Sequence, residues 1–270
     1  MPMQSRHVPM TEEEYLRLPF EVGWKCEYYD GQAHFTPRDL PVITTLSVTP
    51  RAVPPHSGTA RCPLRPAQTA DANGLIETYV AAFGATIEYC DYTQAQLESA
   101  ARRALTDHFA GERGNPLSAS RVAVDPQQPD RLMGAALLLS GRDSARLDLL
   151  FVHPTWQGRQ LATALLADAV NHLHDYGERQ LMSRYHIGNE ASRRWHQRCG
   201  FREEPDLRRA ELYLQAARHE LWRREKLGEW SAAERTHWLN ECAQWQAQVD
   251  ELERLAEAQG FAAVCAGYRW

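Results

Sequence analysis

The hydrophobic rhythm of the chain changes several times, and each change marks an element. Leu161, Leu165, Ala169 and Leu173 fall on one stripe of a 3.6-residue repeat, which predicts a helix from about Gln157 to Tyr176. Trp238, Cys242, Trp245, Val249, Leu252 and Ala256 recur at alternating spacings of four and three, a heptad seam. Leu207, Ala210, Leu214, Ala217 and Leu221 repeat that rhythm upstream, and Leu227-Gly228-Glu229-Trp230 fits a turn between the two. Residues 207–259 are therefore expected to form an antiparallel helical hairpin.

Shorter apolar runs read as strands: SASRVAV, RLMGAALLLS, ARLDLLFVH and RQLMSRYHI. The third is apolar enough to be central in a sheet. Local signals punctuate the rest. Thr11/Glu14, Thr93/Gln96 and Ser231/Glu234 are capping boxes that open helices. Leu75, Ile76, Tyr79, Val80 and Phe83 mark another helix. NEASRRWHQRCG is a short helix with Asn189 as cap and Gly200 as stop. Asp30-Gly31, flanked by strand-forming residues, is a hairpin turn. The last run, FAAVCAGYRW, reads as a closing strand.

Three parts follow. Residues 1–60 are a helix and β-hairpin ending in a proline-rich linker, too small to hold a core alone and expected to dock on the main domain or a partner. Residues 61–206, with the strand at 260–270, alternate helices and strands as an α/β domain. Residues 207–259 are the inserted hairpin. Its seam packs internally, and its far side is offered as a homodimer or partner contact.

Composition narrows the function. At 270 residues, 43% hydrophobic and 24% charged, the chain has a globular balance and enough length for a sizeable core. A net charge of −5 excludes a strongly basic nucleic-acid binder. No membrane-length apolar stretch or secretory leader is visible, so a cytoplasmic location is expected. The six cysteines, at 26, 62, 90, 199, 242 and 265, are scattered with no C-x-x-C pair, which argues against a disulfide framework or a zinc site.

The chemistry-bearing junction is LDLLFVHPTWQGRQLATALL. A buried strand ends, the chain turns, and a helix begins. The first turn of a helix carries unpartnered N–H groups and partial positive charge, a natural receptor for a diphosphate. Gly158 has no β-carbon to block close approach, and Arg159 adds charge. Neither a Walker A loop nor a dinucleotide fingerprint is present.

This junction, with the later block NEASRRWHQRCGF, resembles the GCN5-related N-acetyltransferases over residues 62–202. LFVHPTWQGRQLATALL resembles the family's strand, pyrophosphate loop and helix. Asn189, Ser192, Trp195, Gly200 and Phe201 fall at the spacing of its later block, and LRPAQTADANGLI resembles its opening strand and helix. The resemblance implies the acyl-CoA N-acyltransferase fold, a mixed, mostly antiparallel sheet with helices on both faces. It also implies acetyl-CoA as co-substrate, moving an acetyl or short acyl group to an unidentified amine by direct attack in a ternary complex. The hairpin would then lie between the family's last two strands.

Carried over residue by residue, the backbone of Leu150 and Val152 would hold the pantetheine arm. Gln157, Gly158, Arg159, Gln160, Leu161 and Ala162 would hold the diphosphate, and Asn189 would lie along the arm. Two positions depart from the family. Gln160 stands where it has glycine, and a helical φ there would accept glutamine. His196 stands where it has a tyrosine general acid, a role histidine fills only as imidazolium. Strand alternation puts Asp148 on the face of Leu150 and Val152. It is the candidate general base, acting through water, or else a strand carboxylate paired with Arg146 or another arginine. Residues 84–92 and 111–119, with Tyr89, Asp91 and Tyr92, are expected to rim the acceptor site. The alternative reading is a catalytically weak or inactive CoA-binding module serving as a sensor or interaction domain.

MTEEEYLRLP and GWKCEYYDGQAHFTP, over residues 10–37, resemble the opening of a bacterial family of restriction-endonuclease-like proteins, with Glu27 on an acidic position of that pattern. The rest of a nuclease core has no counterpart, so this segment reads as a structural or docking element.

Overall fold

A computed structural model describes residues 6–50, 52–53, 62–228 and 230–265. In chain order the elements are β1 (Arg6–Pro9), α1 (Glu12–Leu16), β2 (Trp24–Tyr29), β3 (Gln32–Pro37), β4 (Pro41–Ser47) and β5 (Leu64–Pro66). Then come α2 (Asp71–Gly74), α3 (Ile76–Phe83), α4 (Gln94–Ala110), β6 (Arg121–Val124), β7 (Leu132–Ser140) and β8 (Ala145–Val152). The chain continues through α5 (Leu161–Asp175), β9 (Gln180–His186), α6 (Glu190–Arg198), β10 (Arg202–Glu203), α7 (Leu207–Leu227) and α8 (Ala232–Gln259).

The chain divides into two units. The first holds residues 44–184 and 191–202. It is built on a mixed seven-stranded sheet in the order β10-β4-β9-β8-β7-β6-β5. The pairs from β5 to β8 are antiparallel and β8 pairs β9 in parallel. Helices cover both faces. On one, Leu75, Tyr79, Leu97, Ala101 and Leu105 of α2–α4 and the residues joining them pack on Val122, Leu137 and Phe151. On the other, the predicted α5 stripe of Leu161, Leu165, Ala169 and Leu173 packs on Met133, Leu138 and Leu147. This is the mixed sheet flanked by helices that the sequence led us to expect.

The second unit holds residues 4–43, 185–190 and 203–270. All three capping boxes form here and in the first unit, at Thr11, Thr93 and Ser231. The Asp30-Gly31 turn has φ of 51° and 70°, the paired positive values of a tight hairpin. α7 and α8 pack along the expected seam through Leu207, Ala210, Leu214, Val249 and Leu252, with Tyr213 stacked on Trp245 at 4.7 Å. The N-terminal segment docks on this hairpin. His219 of α7 donates to the Leu18 carbonyl at 3.1 Å, and Arg223 to the Arg17 carbonyl at 3.2 Å.

The structure adds two strands and corrects one expectation. PVITTLS, ahead of the proline-rich linker, is rich in β-branched residues and forms β4, an inner strand of the main sheet between β9 and β10. β1 adds a third strand to the N-terminal hairpin. The run from Phe261 is not a strand over its described part: Phe261–Val264 is a 3₁₀ turn, entered through Gly260 at φ 86°, and Val264 joins the hairpin core. Residues 266–270 lie outside the described residues, so the rest of the expected closing strand does too.

Candidate functional site

The central strand opens on one edge. β8 is laddered to β7 along its length. Its parallel ladder with β9 consists of Ala145↔Leu181 and Arg146↔Met182. From Leu147 to Val152 the second edge of β8 therefore has no strand partner among the described residues. The outward N–H and C=O groups of that edge, at Leu150 and Val152, therefore stand outside the β-ladder.

The same strand carries a bulge. Leu137 faces Leu149 and Leu138 faces Leu147, so Asp148 has no residue opposite it. The extra residue switches the faces. Ala145 and Leu147 lie in the core beneath α5, as does Val152, while Leu149 and Phe151 lie in the core beneath α3 and α4. Asp148 consequently does not share the face of Leu150 and Val152; simple alternation fails at the bulge.

Beyond β8 the chain makes a 3₁₀ turn over Pro154–Trp156 and then a loop into α5. The Gln157 side chain donates to the Val152 carbonyl at 3.1 Å, tying the loop to the strand end. Gly158 has φ 74° with nothing within 4 Å of where a β-carbon would stand, so the space beside it is open. Gln160 has φ 63°, left-handed rather than helical as expected, and supplies no side-chain cap. Positive φ costs a side-chain-bearing residue roughly 1–2 kcal/mol. The first N–H groups of α5 are thus left for something other than the chain itself. Residues 157–160 are all exposed, and the Arg159 guanidinium lies over the Trp156 ring at 5.1 Å. Such a helix start is the kind of end that receives a diphosphate, and no side-chain cap hydrogen bond closes it among the described residues.

Asp148 sits on the α3/α4 side, with its side chain 2% exposed. Arg113 donates to it through Nε and Nη2, the latter at 2.7 Å, and His108 Nδ1 donates at 3.0 Å. Burial pushes the carboxyl pKa up, but these bonds outweigh it and hold Asp148 below its ordinary value. A carboxylate so held is a poor proton acceptor. The arginine paired with it is Arg113 rather than Arg146, just beyond the Gly111 cap of α4. Sequence reasoning did not single out Arg113 or His108. Their one signal is position: a histidine in the last turn of α4 and an arginine in the following turn. Aromatic residues line the same side, where Tyr79, Phe83, Tyr89 and Phe151 pack at 4.5–6.1 Å between ring centres and the Tyr79 and Tyr89 hydroxyls share a hydrogen bond. Burial raises both tyrosine pKa values.

His196 is buried. Its Nδ1–H donates to the Ser192 carbonyl at 2.8 Å and its Nε2 shares a hydrogen bond with the Ser183 hydroxyl at 2.9 Å. Both ring nitrogens are thus engaged by the protein, as in a core histidine. Asn189 belongs to the second unit, in the turn before α6, where its N–H donates to the His186 carbonyl at 2.7 Å. Glu27, on β2, is exposed and paired with Lys25. Among the described residues no group of three or more ligand-type side chains is placed to hold a metal, and no helix is long and apolar enough to cross a membrane.

Residues 85–201, less than half of the chain, match the model of the Acetyltransferase (GNAT) family. The segment is similar to that family over those residues. The match contains the β8 edge, the loop and α5, and acetyl-CoA is the co-substrate of this N-acetyltransferase family. No curated protein matches the chain in sequence. Among solved structures, the PaiA N-acetyltransferase of Thermoplasma acidophilum, in complex with coenzyme A, is 20% identical at a TM-score of 0.35, covering 43% of this chain and 73% of its own. A GCN5-related N-acetyltransferase from Sphaerobacter thermophilus is 15% identical at 0.43, covering 75% and 58%. An acetyltransferase of the GNAT family from Novosphingobium aromaticivorans is 14% identical at 0.41, covering 69% and 65%. The family match over residues 85–201, not any of these structures, carries the likeness.

Proposed function

We propose that the GNAT domain moves an acetyl group from acetyl-CoA to an amine by direct attack within a ternary complex. The observation that carries this reading is the continuity of two unsatisfied backbone surfaces: the free edge of β8 and the uncapped start of α5 that follows it. The N–H groups at the start of α5 would receive the diphosphate, Gly158 leaving room for its approach and Arg159 adding charge. Leu150 and Val152 would pair with the amides of the pantetheine arm. That directs the thioester along β8 toward the bulge at Asp148.

In this reading an N–H of the opened β8 edge polarises the thioester carbonyl and stabilises the oxyanion as the amine attacks. The amine nitrogen bonds to the carbonyl carbon, the carbon–sulfur bond breaks, and the amine proton leaves to solvent. Asp148 orients Arg113 rather than accepting that proton. The thiolate of coenzyme A leaves without help from His196.

Calorimetric titration with acetyl-CoA, followed by a thiol-release assay over an amine panel, tests the reading. Saturable binding with amine-dependent thiol release is expected. No binding at millimolar acetyl-CoA would defeat it. The sealed position of His196 favours one second reading, a CoA-binding sensor or interaction module, which binding without release for every amine would support.

A further inference from the structure

The three-stranded sheet of the second unit, in the order β1-β3-β2, brings two histidines face to face. In its antiparallel register His7 of β1 stands directly opposite His34 of β3, and His34 stands directly opposite Glu27 of β2. Residues opposed in this way share one face of a sheet, with β-carbons about 4.5–5.5 Å apart. The row His7, His34 and Glu27 therefore crosses the sheet on one side, while Cys26 and Phe35 belong to the other.

The two rings meet through Nδ1. His7 Nδ1 touches His34 Nδ1, and the rings stand edge to face with centres 4.4 Å apart. Tyr29, two residues beyond Glu27 on β2, stacks on the His34 ring at 3.6 Å between centres and 8° between planes. That stacking fixes the direction in which His34 Nδ1 points. His34 Nε2 is buried and has no hydrogen-bond partner among the described residues, so Nδ1 is the nitrogen this ring presents. His7 is exposed on the edge strand, where its ring has room to turn.

A fixed histidine usually gives its Nδ1–H to a carbonyl or a carboxylate. Here the partner is a second imidazole, and one shared proton joins the N–H of one ring to the lone pair of the other. A cation between the rings uses both lone pairs. Neutral imidazole is the commonest metal ligand and suits zinc, nickel and copper. Metal–nitrogen bonds of about 2.0–2.1 Å require only a small turn of the His7 ring to open the gap. Glu27 is held by Lys25 at 2.8 Å, and no third ligand-type side chain is placed to join the pair among the described residues. Water fills the remaining positions.

We propose that His7 and His34 form a two-imidazole site for a divalent cation of the zinc, nickel and copper class, which staples the edge strand β1 to β3. β1 is four residues long, and a short edge strand on so small a sheet has little else to hold it. The unfolded chain does not bring these two side chains together, so the free energy of binding the ion adds to the stability of the sheet.

The test is calorimetric titration of the metal-free full chain with Zn2+. One equivalent is expected to bind about tenfold or more tightly than in His7→Gln and in His34→Gln. His237→Gln, at an exposed histidine of α8, is expected to match wild type. His7→Gln leaves the buried Trp24 and Ala33 of this sheet untouched, so a loss there does not come from a collapsed fold. Amide hydrogen exchange gives the second readout. The β1 amides should slow with zinc in wild type and not in either variant. No binding, or binding that stays within threefold of wild type in either variant, overturns the proposal. Uptake at many weak positions, an adventitious ion only, overturns it too, as does binding that leaves β1 exchange unchanged.

Discussion

Arg113 holds Asp148 by two nitrogens from a turn 35 residues earlier in the chain, and His108 closes the other side of the same carboxylate. A bulge places that aspartate where both can reach it. The carboxylate therefore organises the α3/α4 side of the strand opening, and its loss is felt there first.

Asp148→Asn is expected to destabilise the fold by about 3 kcal/mol, the lower end for losing one partner of a buried pair because Arg113 keeps contact with water. The Asp148 pKa is depressed in the folded state, so its contribution is present above the unfolded value of about 3.9 and is lost as pH falls through the folded value. Denaturant unfolding at neutral pH and between pH 5 and 2 measures both. An equal loss in variant and wild type across that range would show that Asp148 is not the titrating group.

His196→Ala is expected to cost about 2–3 kcal/mol, as a buried hydrogen-bonded group is removed. The folded variant should keep the wild-type pH profile of kcat/KM. Disappearance of one limb of that profile would restore His196 as a proton donor.

At the loop, Gly158→Ala and Gln160→Gly are expected to act in opposite directions. Both positions have positive φ, so alanine at 158 costs about 1 kcal/mol and weakens acetyl-CoA binding, while glycine at 160 relieves strain. Thermal unfolding and calorimetry read the two effects. Weaker acetyl-CoA binding in Gln160→Gly would contradict the strain argument.

Much of this fold was legible in the sequence because its signals are local. Thr11, Thr93 and Ser231 each meet a partner three residues away, Asp30-Gly31 sets its own turn, and the α5 stripe repeats within one helix. What was not legible depends on distant partners. β4 pairs with strands far along the chain, so nothing local in its seven residues reveals its place beside β9 and β10. The Asp148 bulge is hidden in an apolar run with no polar phase to reveal the switch. Arg113 and His108 become part of the site through contacts spanning 35 and 40 residues. His196, aligned with a catalytic position, is claimed instead by Ser183 and the carbonyl of Ser192.

The helical hairpin offers a separate pH test. Hydrogen bonds from the Ser231 hydroxyl and N–H, followed by Arg224, lower the Glu234 pKa to about 2. Its contribution is therefore present above the unfolded value of about 4.3 and disappears as pH falls through about 2. Helix content measured by circular dichroism should fall across that window, and Glu234→Gln should remove the step. An unchanged step would assign it to another carboxylate.

The central claim is that the backbone of β8 and of the start of α5 holds acetyl-CoA. Amide hydrogen exchange with and without coenzyme A tests it most directly. Protection is expected at the free edge of β8 between Leu147 and Val152 and at residues 158–163. Saturating coenzyme A that leaves these amides exchanging at their free rate, or that protects amides only elsewhere, would contradict the account.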